Sequence, residues 1–340
     1  MEYYQQTIFA KGCTILGISI FKNSRGLKEE IDMKEAFNIW NMLRSRYHST
    51  DTVRLFQNLT HDRDFDIVLG QLLDEWKKYI KLYEDKAESL KLKIPRRPPY
   101  DYKTSVQVSQ FTDQYIFRKI YNDLIADLYP LVTAYRTSTT NDSVRKIIQD
   151  DLVEHLSGFE LMYKYGKLKG WMDEPPAFKN FKPEVTEALT SGEAFHILDH
   201  ISHRYHQMEI TKAFLSFAHD KELHLILSQG AKALEKEVAT LQEIALKYEV
   251  NLPNQPPASI QIAVDPEALE DRLLYSVILS GMQSAIDFHV RAVIECIRND
   301  SLRRTFYKLF QSELKMHERI LKYGKAKGWL MTIPPYSNPI

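Results

Sequence analysis

The sequence predicts an all-α protein: two tandem four-helix bundles, each with a long crossover between its second and third helices. Three observations carry this. The chain matches itself over a long stretch, apolar residues recur at spacings of three and four, and the intervening stretches are short, long and short. The 340-residue chain repeats at an offset of 158. Glu35-Ala36-Phe37 falls on Glu193-Ala194-Phe195, and Arg46-Tyr47-His48 on Arg204-Tyr205-His206. His61-Asp62 falls on His219-Asp220, and Asn141-Asp142-Ser143 on Asn299-Asp300-Ser301. Tyr165-Gly166-Lys167 and Lys169-Gly170-Trp171 fall on Tyr323-Gly324-Lys325 and Lys327-Gly328-Trp329. The domains are therefore read as an extension over 1–26, a first repeat over 27–177 and a second over 184–340. The stretch EPPAFKNFKPEVTE is the joint, marked by its prolines and charges.

Each repeat reads as four helices. In the second, Ala194, Leu198, Ile201, Tyr205 and Met208 form the first apolar face, and Leu223, Leu227, Leu234, Leu241 and Ala245 the next. Leu274, Ile278, Met282 and Ala285 mark the third helix; Leu302, Phe306, Leu309, Met316 and Ile320 mark the fourth. Asp62 and Asp220 stand as caps of the second helices, and Asn-Asp-Ser opens the fourth. No segment alternates with period two, so strands are not expected.

Loop length selects the topology. The first-to-second and third-to-fourth connections are short and make antiparallel pairs. The second-to-third links, PRRPPYDYKTSVQVSQ and PNQPPASIQIAVDPEA, are long enough to run the length of a bundle. A single long crossover of this kind defines the ferritin-like class.

The fourth helices end alike, in LMYKYGKLKGWMDEPP and ILKYGKAKGWLMTIPP. Lysines place positive charge at the helix C-terminus. Gly170 and Gly328 supply the left-handed terminating position, and Trp171 and Trp329 are expected to fold back on the last turn near Tyr165 and Tyr323. Gly166, inside the helix, is read as room for the Trp ring. The proline pair blocks a restart.

Composition excludes several classes. Lys+Arg and Asp+Glu are 45 each, so no basic excess points to nucleic acid. No run of 18 apolar residues occurs, so no membrane insertion is expected. Only Cys13 and Cys296 are present, which is no disulfide framework and fits a reducing compartment. Glu2 precedes the short apolar run Cys13–Phe21, and the first positive charge is Lys11; this reads as an extension rather than a secretion signal. Cys296 reads as a buried apolar residue. No phosphate-binding glycine loop, Cys-x-x-Cys or Gly-x-Ser-x-Gly occurs.

Two four-helix repeats, a first helix opening EAFNIWNML and fourth helices ending YGKxKGW…PP resemble a two-repeat ferritin-like family of unknown function from spore-forming bacilli, with spore-coat-like relatives. The resemblance covers about 27–340. It implies a sporulating bacterium, a cytoplasmic or spore-associated location and protein partners or self-association. It implies no catalytic residues.

Ferritin-like di-iron sites take Glu from two helices and Glu-x-x-His from two more. No Glu-x-x-His lies on any predicted second or fourth helix. The second repeat still gathers donors. Glu313 and His317 share a face of its fourth helix, His289 continues the apolar line of its third, and Glu237 flanks the face of its second. Carboxylate plus imidazole suits Fe, Mn or Zn. The competing reading is a hydrogen-bonded Glu–His core pair. His196, His200, His203 and His206 are read as a solvated or interface face, and the paired Tyr-His steps as a shared buried hydrogen bond. The function expected is therefore a non-enzymatic structural or interaction protein without a cofactor. The alternative is a metal-binding protein or oxidase with one site in the second repeat. A small-molecule carrier with an apolar cleft between the bundles is a third class.

Overall fold

The computed structural model describes residues 30–97, 112–173, 175–179, 187–254, 270–330 and 335–336. Residues from Ile31 onward form one compact unit. It holds α1 (Met33–Gln57), α2 (Arg63–Ser89), α3 (Asp113–Thr137), α4 (Asp142–Lys169), α5 (Ser191–Phe217), α6 (Lys221–Lys247), α7 (Asp271–Glu295) and α8 (Asp300–Lys327). Among the described residues there is no strand; two isolated bridges join Asp32 to Pro335 and Ala177 to Thr190.

The helices start where the caps predict. Asp62 accepts from the amides of Asp64 and Phe65, and Asp220 from those of Glu222 and Leu223. Asn141 and Asn299 cap α4 and α8. The two first helices carry full capping boxes, Asp32 with Glu35 and Thr190 with Glu193. Each box glutamate is buried and does a second job. Glu35 Oε1 accepts from the amides of Thr140 and Asn141 at 2.8 and 2.7 Å. Glu193 Oε1 accepts from Arg298 and Asn299 at the same two distances. One carboxylate thus fixes the start of a first helix to the turn before a fourth.

Helix directions follow from the ends that touch. Asn38, near the start of α1, donates to Ala134 O at the end of α3. Lys169 at the end of α4 pairs with Asp62 at the start of α2, at 2.6 Å. Thr60, just before α2, donates to Asp113 at the start of α3. So α2 and α3 begin at the same end of the bundle and run the same way. The two long links expected to cross the bundles lie mostly outside the described residues. Lys327 with Asp220, and His219 N with Asp271, repeat the arrangement in α5–α8.

The fourth helices end as their sequence predicts, with one difference. Gly170 and Gly328 sit at φ +68° and +67°. The amides of Trp171 and Trp329 donate back to Gly166 O and Gly324 O at 2.9 Å. The Trp rings stand edge-on to Tyr165 and Tyr323 at 5.6 and 5.5 Å. Gly166, however, makes room for a different ring. A Cβ there would lie 2.1 Å from Phe117 of α3, and one at Gly324 would lie 1.9 Å from the Tyr275 hydroxyl of α7. The glycine permits close approach of the third helix, a neighbour that helical spacing within the fourth cannot reveal.

The first and last four helices meet through reciprocal ion pairs. Arg145 of α4 binds Glu318 of α8 at 2.8 Å, and Arg303 of α8 binds Glu160 of α4 at 2.9 Å. Lys167 reaches Asp300, and Lys325 reaches Asp142. In both cases the residues exchange roles at an offset of 158. That self-complementary pattern is the signature of a two-fold related interface.

Gly166→Ala will cost about 2 kcal/mol of stability, because the new methyl overlaps an aromatic ring that is itself buried. Gly170→Ala will cost about 1 kcal/mol, from left-handed backbone alone. Urea unfolding of both variants beside the parent chain measures the difference. Equal costs would contradict the packing role of Gly166.

Candidate functional site

The largest side chains buried to 2% exposure or less are four arginines: Arg46, Arg145, Arg204 and Arg303. Arginine stays charged in proteins, so each burial demands a carboxylate or another acceptor beside it. Arg145 and Arg303 hold the two halves together. Arg46 and Arg204 stand in the centres of the bundles.

Arg46 leaves α1 and meets α4. It bonds both oxygens of Asp151, which also accepts from Tyr83 OH at 2.8 Å. Its Nη1 donates to His155 Nδ1 at 2.9 Å, so the proton on that imidazole lies at Nε2, which donates to Leu124 O at 2.8 Å. Burial, then the Arg46 charge, pushes His155 down to about 3, and the ring stays neutral. Trp76 stacks on His155 with centroids 6.2 Å apart and lies under the guanidinium.

Arg204 leaves α5 and gathers three of the four residues expected to bind metal. Its Nη2 donates to Glu313 Oε2 at 3.2 Å and to His289 Nε2 at 2.5 Å. Its Nε lies 2.9 Å from Glu237 Oε2, an ion pair without hydrogen-bond alignment. Its Nη1 donates to Gln207 Oε1. His289 Nδ1 then donates to His200 Nε2 at 3.2 Å, and His200 Nδ1 donates to the His196 carbonyl at 2.8 Å. The chain of tautomers is consistent from the guanidinium outward. Burial holds His289 and His200 well below the usual histidine range. Burial also raises Glu313 and Glu237, against the opposing pull of Arg204.

His317 takes no part. It sits at the boundary between the halves, where Nδ1 lies 3.3 Å from the Tyr135 hydroxyl, which donates to Leu314 O. Burial, then Arg145, lowers it to about 4. Among the described residues no group of three or more His, Cys, Asp or Glu side chains is disposed around a single ion position. A fixed guanidinium lies between Glu237, Glu313 and His289, and a metal cation does not fit that set while Arg204 remains there.

Two expectations on histidines need correction. His196 and His200 are buried, not on a solvated face, because α5 turns His196, His200 and Arg204 inward at successive spacings of four. Leu198 is correspondingly 37% exposed. His48 and His206 are exposed, so the bond the two Tyr-His steps share is made by the buried tyrosines alone: Tyr47 donates to Glu84, and Tyr205 accepts from Gln242 at 2.7 Å, the position matched to Glu84 at the offset of 158. The residue that mattered in the match was the arginine before them. Cys296 is buried as expected, and burial pushes its thiol well up.

Replacing Arg204 by Met will leave Glu237 and Glu313 buried without their cation, at a cost of about 4 kcal/mol near neutral pH. Without Arg204 the folded-state pKa of Glu313 rises further above its unfolded value. A raised carboxyl contributes stability at low pH that is lost as pH rises through the folded value. The deficit of Arg204→Met against the parent will therefore shrink as pH falls from 8 toward 5. Urea midpoints at several pH values test this, and a pH-independent deficit would contradict it.

No curated protein matches the chain. Among solved structures, that of a candidate spore coat protein from Bacillus halodurans C-125 is similar, at 20% identity and a TM-score of 0.41, over 44% of this chain and 96% of that one. No helix among the described residues is long and apolar enough to cross a membrane. Residues 182–339 match the family described as a protein of unknown function, DUF3231.

Proposed function

We propose that this chain is a non-enzymatic structural or interaction protein of a sporulating bacterium, spore-coat-like, made of two ferritin-like repeats. One observation carries the non-enzymatic reading. The donors that a metal-dependent oxidase would use are engaged in holding Arg204. Glu313, Glu237 and His289 point at a guanidinium, and His317 bonds across the boundary to Tyr135. The repeat reading is supported by the reciprocal pairs Arg145–Glu318 and Arg303–Glu160, which map onto each other at the sequence offset. The helix directions support the ferritin-like reading, since both bundles need a long return link between their second and third helices. The chain acts through protein partners or self-association, in the cytoplasm or at the spore.

The test has two arms. Fractionation of sporulating cells of the source organism should recover the protein with the spore surface layers rather than the vegetative cytosol. Metal analysis of protein purified without an affinity tag should find no stoichiometric Fe, Mn or Zn, with Glu313→Ala indistinguishable from the parent. Stoichiometric metal that disappears in Glu313→Ala would select the oxidase or metal-binding alternative instead.

A further inference from the structure

The two bundles differ in how their centres are filled. Between α5, α6, α7 and α8 lies a cavity of about 200 Å³. It exceeds the roughly 150 Å³ of an engineered apolar cavity that admits benzene. Its walls are mostly apolar, with Leu227, Ile278, Met282 and Met316 among them. At its polar end stand Arg204, Glu237 and Glu313. The second bundle's core is broken at this level. A separate cluster around Phe217, Leu223, Leu274 and Ile320 packs apart from the main core. In keeping with that, α6 makes much less contact with α8 than α2 makes with α4.

Two substitutions between matched positions open the space. Where α2 carries Leu72 and Trp76, α6 carries Gly230 and Leu234 at the offset of 158. Leu72 fills the first bundle so closely that a Cβ on Gly158 would lie 2.6 Å from its methyl. Trp76 covers His155 and Arg46. In the second bundle Met316 replaces Gly158 and returns part of the volume. Nothing crowds the glycines that line the cavity. A Cβ at Gly230 would meet only Met316 Cε, at 4.0 Å, and one at Gly281 would meet nothing within 4 Å. Helix-interior glycine is unfavourable against alanine. Unlike Gly166 and Gly324, these two gain no close packing in return.

We infer that this cavity is a binding site for a small apolar molecule bearing an ammonium head, with the apolar body among Leu227, Ile278, Met282 and Met316 and the head against Glu237 and Glu313. The charge balance favours a cation over an anion. Two carboxylates face one guanidinium, and one of them is left for a second positive group. His289 and His200, held neutral, supply no such charge. An ammonium donates hydrogen bonds and suits the carboxylates of Glu237 and Glu313, each of which meets Arg204 through Oε2. An anionic head would meet both carboxylates. The site is distinct from the structural role proposed above and does not depend on it.

Calorimetric titration of the full chain at neutral pH tests this with three probes that share one apolar body: benzylamine, benzyl alcohol and benzoate. Benzylamine should bind about tenfold or more tightly than benzyl alcohol, and benzoate weakest of the three. Methyl resonances of Met282 and Met316 should shift with benzylamine at the same midpoint. Gly230→Leu, which restores the residue of the first bundle, should abolish binding without lowering the unfolding midpoint. Should that variant fold poorly, Leu234→Trp fills the same space. Glu237→Gln should remove the preference for the amine over the alcohol. Failure of the parent chain to bind benzylamine would overturn the proposal. So would tighter binding of benzoate, or undiminished binding in a folded cavity-filled variant. Each result is independent of spore fractionation and of metal content.

Discussion

The placement of four buried guanidiniums governs this structure. A buried arginine cannot shed its charge, so it must be met by acceptors drawn from other helices. Arg46 draws Asp151 and His155 of α4 toward α1; Arg204 draws Glu313 of α8, His289 of α7 and Glu237 of α6 toward α5. Hydrophobic burial closes each bundle but does not by itself choose its register. A carboxylate that must face a particular guanidinium does choose, since a shift of one residue would rotate it by about 100° away from its partner. Arg145 and Arg303 apply the same constraint between the halves.

Much of the fold was legible because it is written in local code. The caps at Asp62, Asp220, Asn141 and Asn299, the left-handed glycines and the helix spans each depend on a few neighbouring residues. What escaped depends on partners distant in sequence. Gly166 was assigned to the nearest large ring, Trp171, whereas the ring that needs the space belongs to Phe117, 49 positions earlier. The inward face of α5 was misjudged because apolar spacing assumes a nonpolar core. Once His196, His200 and Arg204 are partnered they are core residues, so the buried side of α5 holds them together with Ala194, Ile201 and Tyr205 of the apolar stripe, while Leu198 is left exposed.

The candidate metal residues show the same limit in sharper form. The structure brings Glu313, His289 and Glu237 together around Arg204, because side chains on facing helices converge. Sequence could not show that a cation of the protein's own stands there. The signal was present in the matched Arg-Tyr-His steps, where arginine was the buried member and histidine the exposed one. A charged residue repeated on a predicted first helix asks which anion it meets, and that question leads to Asp151 in one half and Glu313 in the other.

The same cation is satisfied differently in the two halves, and this difference explains why one bundle is filled and the other hollow. Asp151 lies 158 positions before Leu309, and the first bundle binds both oxygens of its carboxylate along one guanidinium edge, Nε and Nη2 of Arg46. That leaves room for the Trp76 ring to lie over Arg46 and His155. In the second bundle Leu309 carries no charge, and the carboxylates come from Glu313, one turn further on, and from Glu237 on α6. Glu237 corresponds to Tyr79, so α6 contributes an anion where α2 contributes a phenol. A ring such as Trp76 in place of Leu234 would fill the cavity that Glu237 and Glu313 line. Leucine and glycine at those positions leave the cavity in place beside the two glutamates. The loss of core volume and the gain of a second carboxylate are thus two aspects of one rearrangement around a fixed guanidinium. The reciprocal ion pairs that join α4 and α8 do not involve these positions, which leaves the inner faces free to differ.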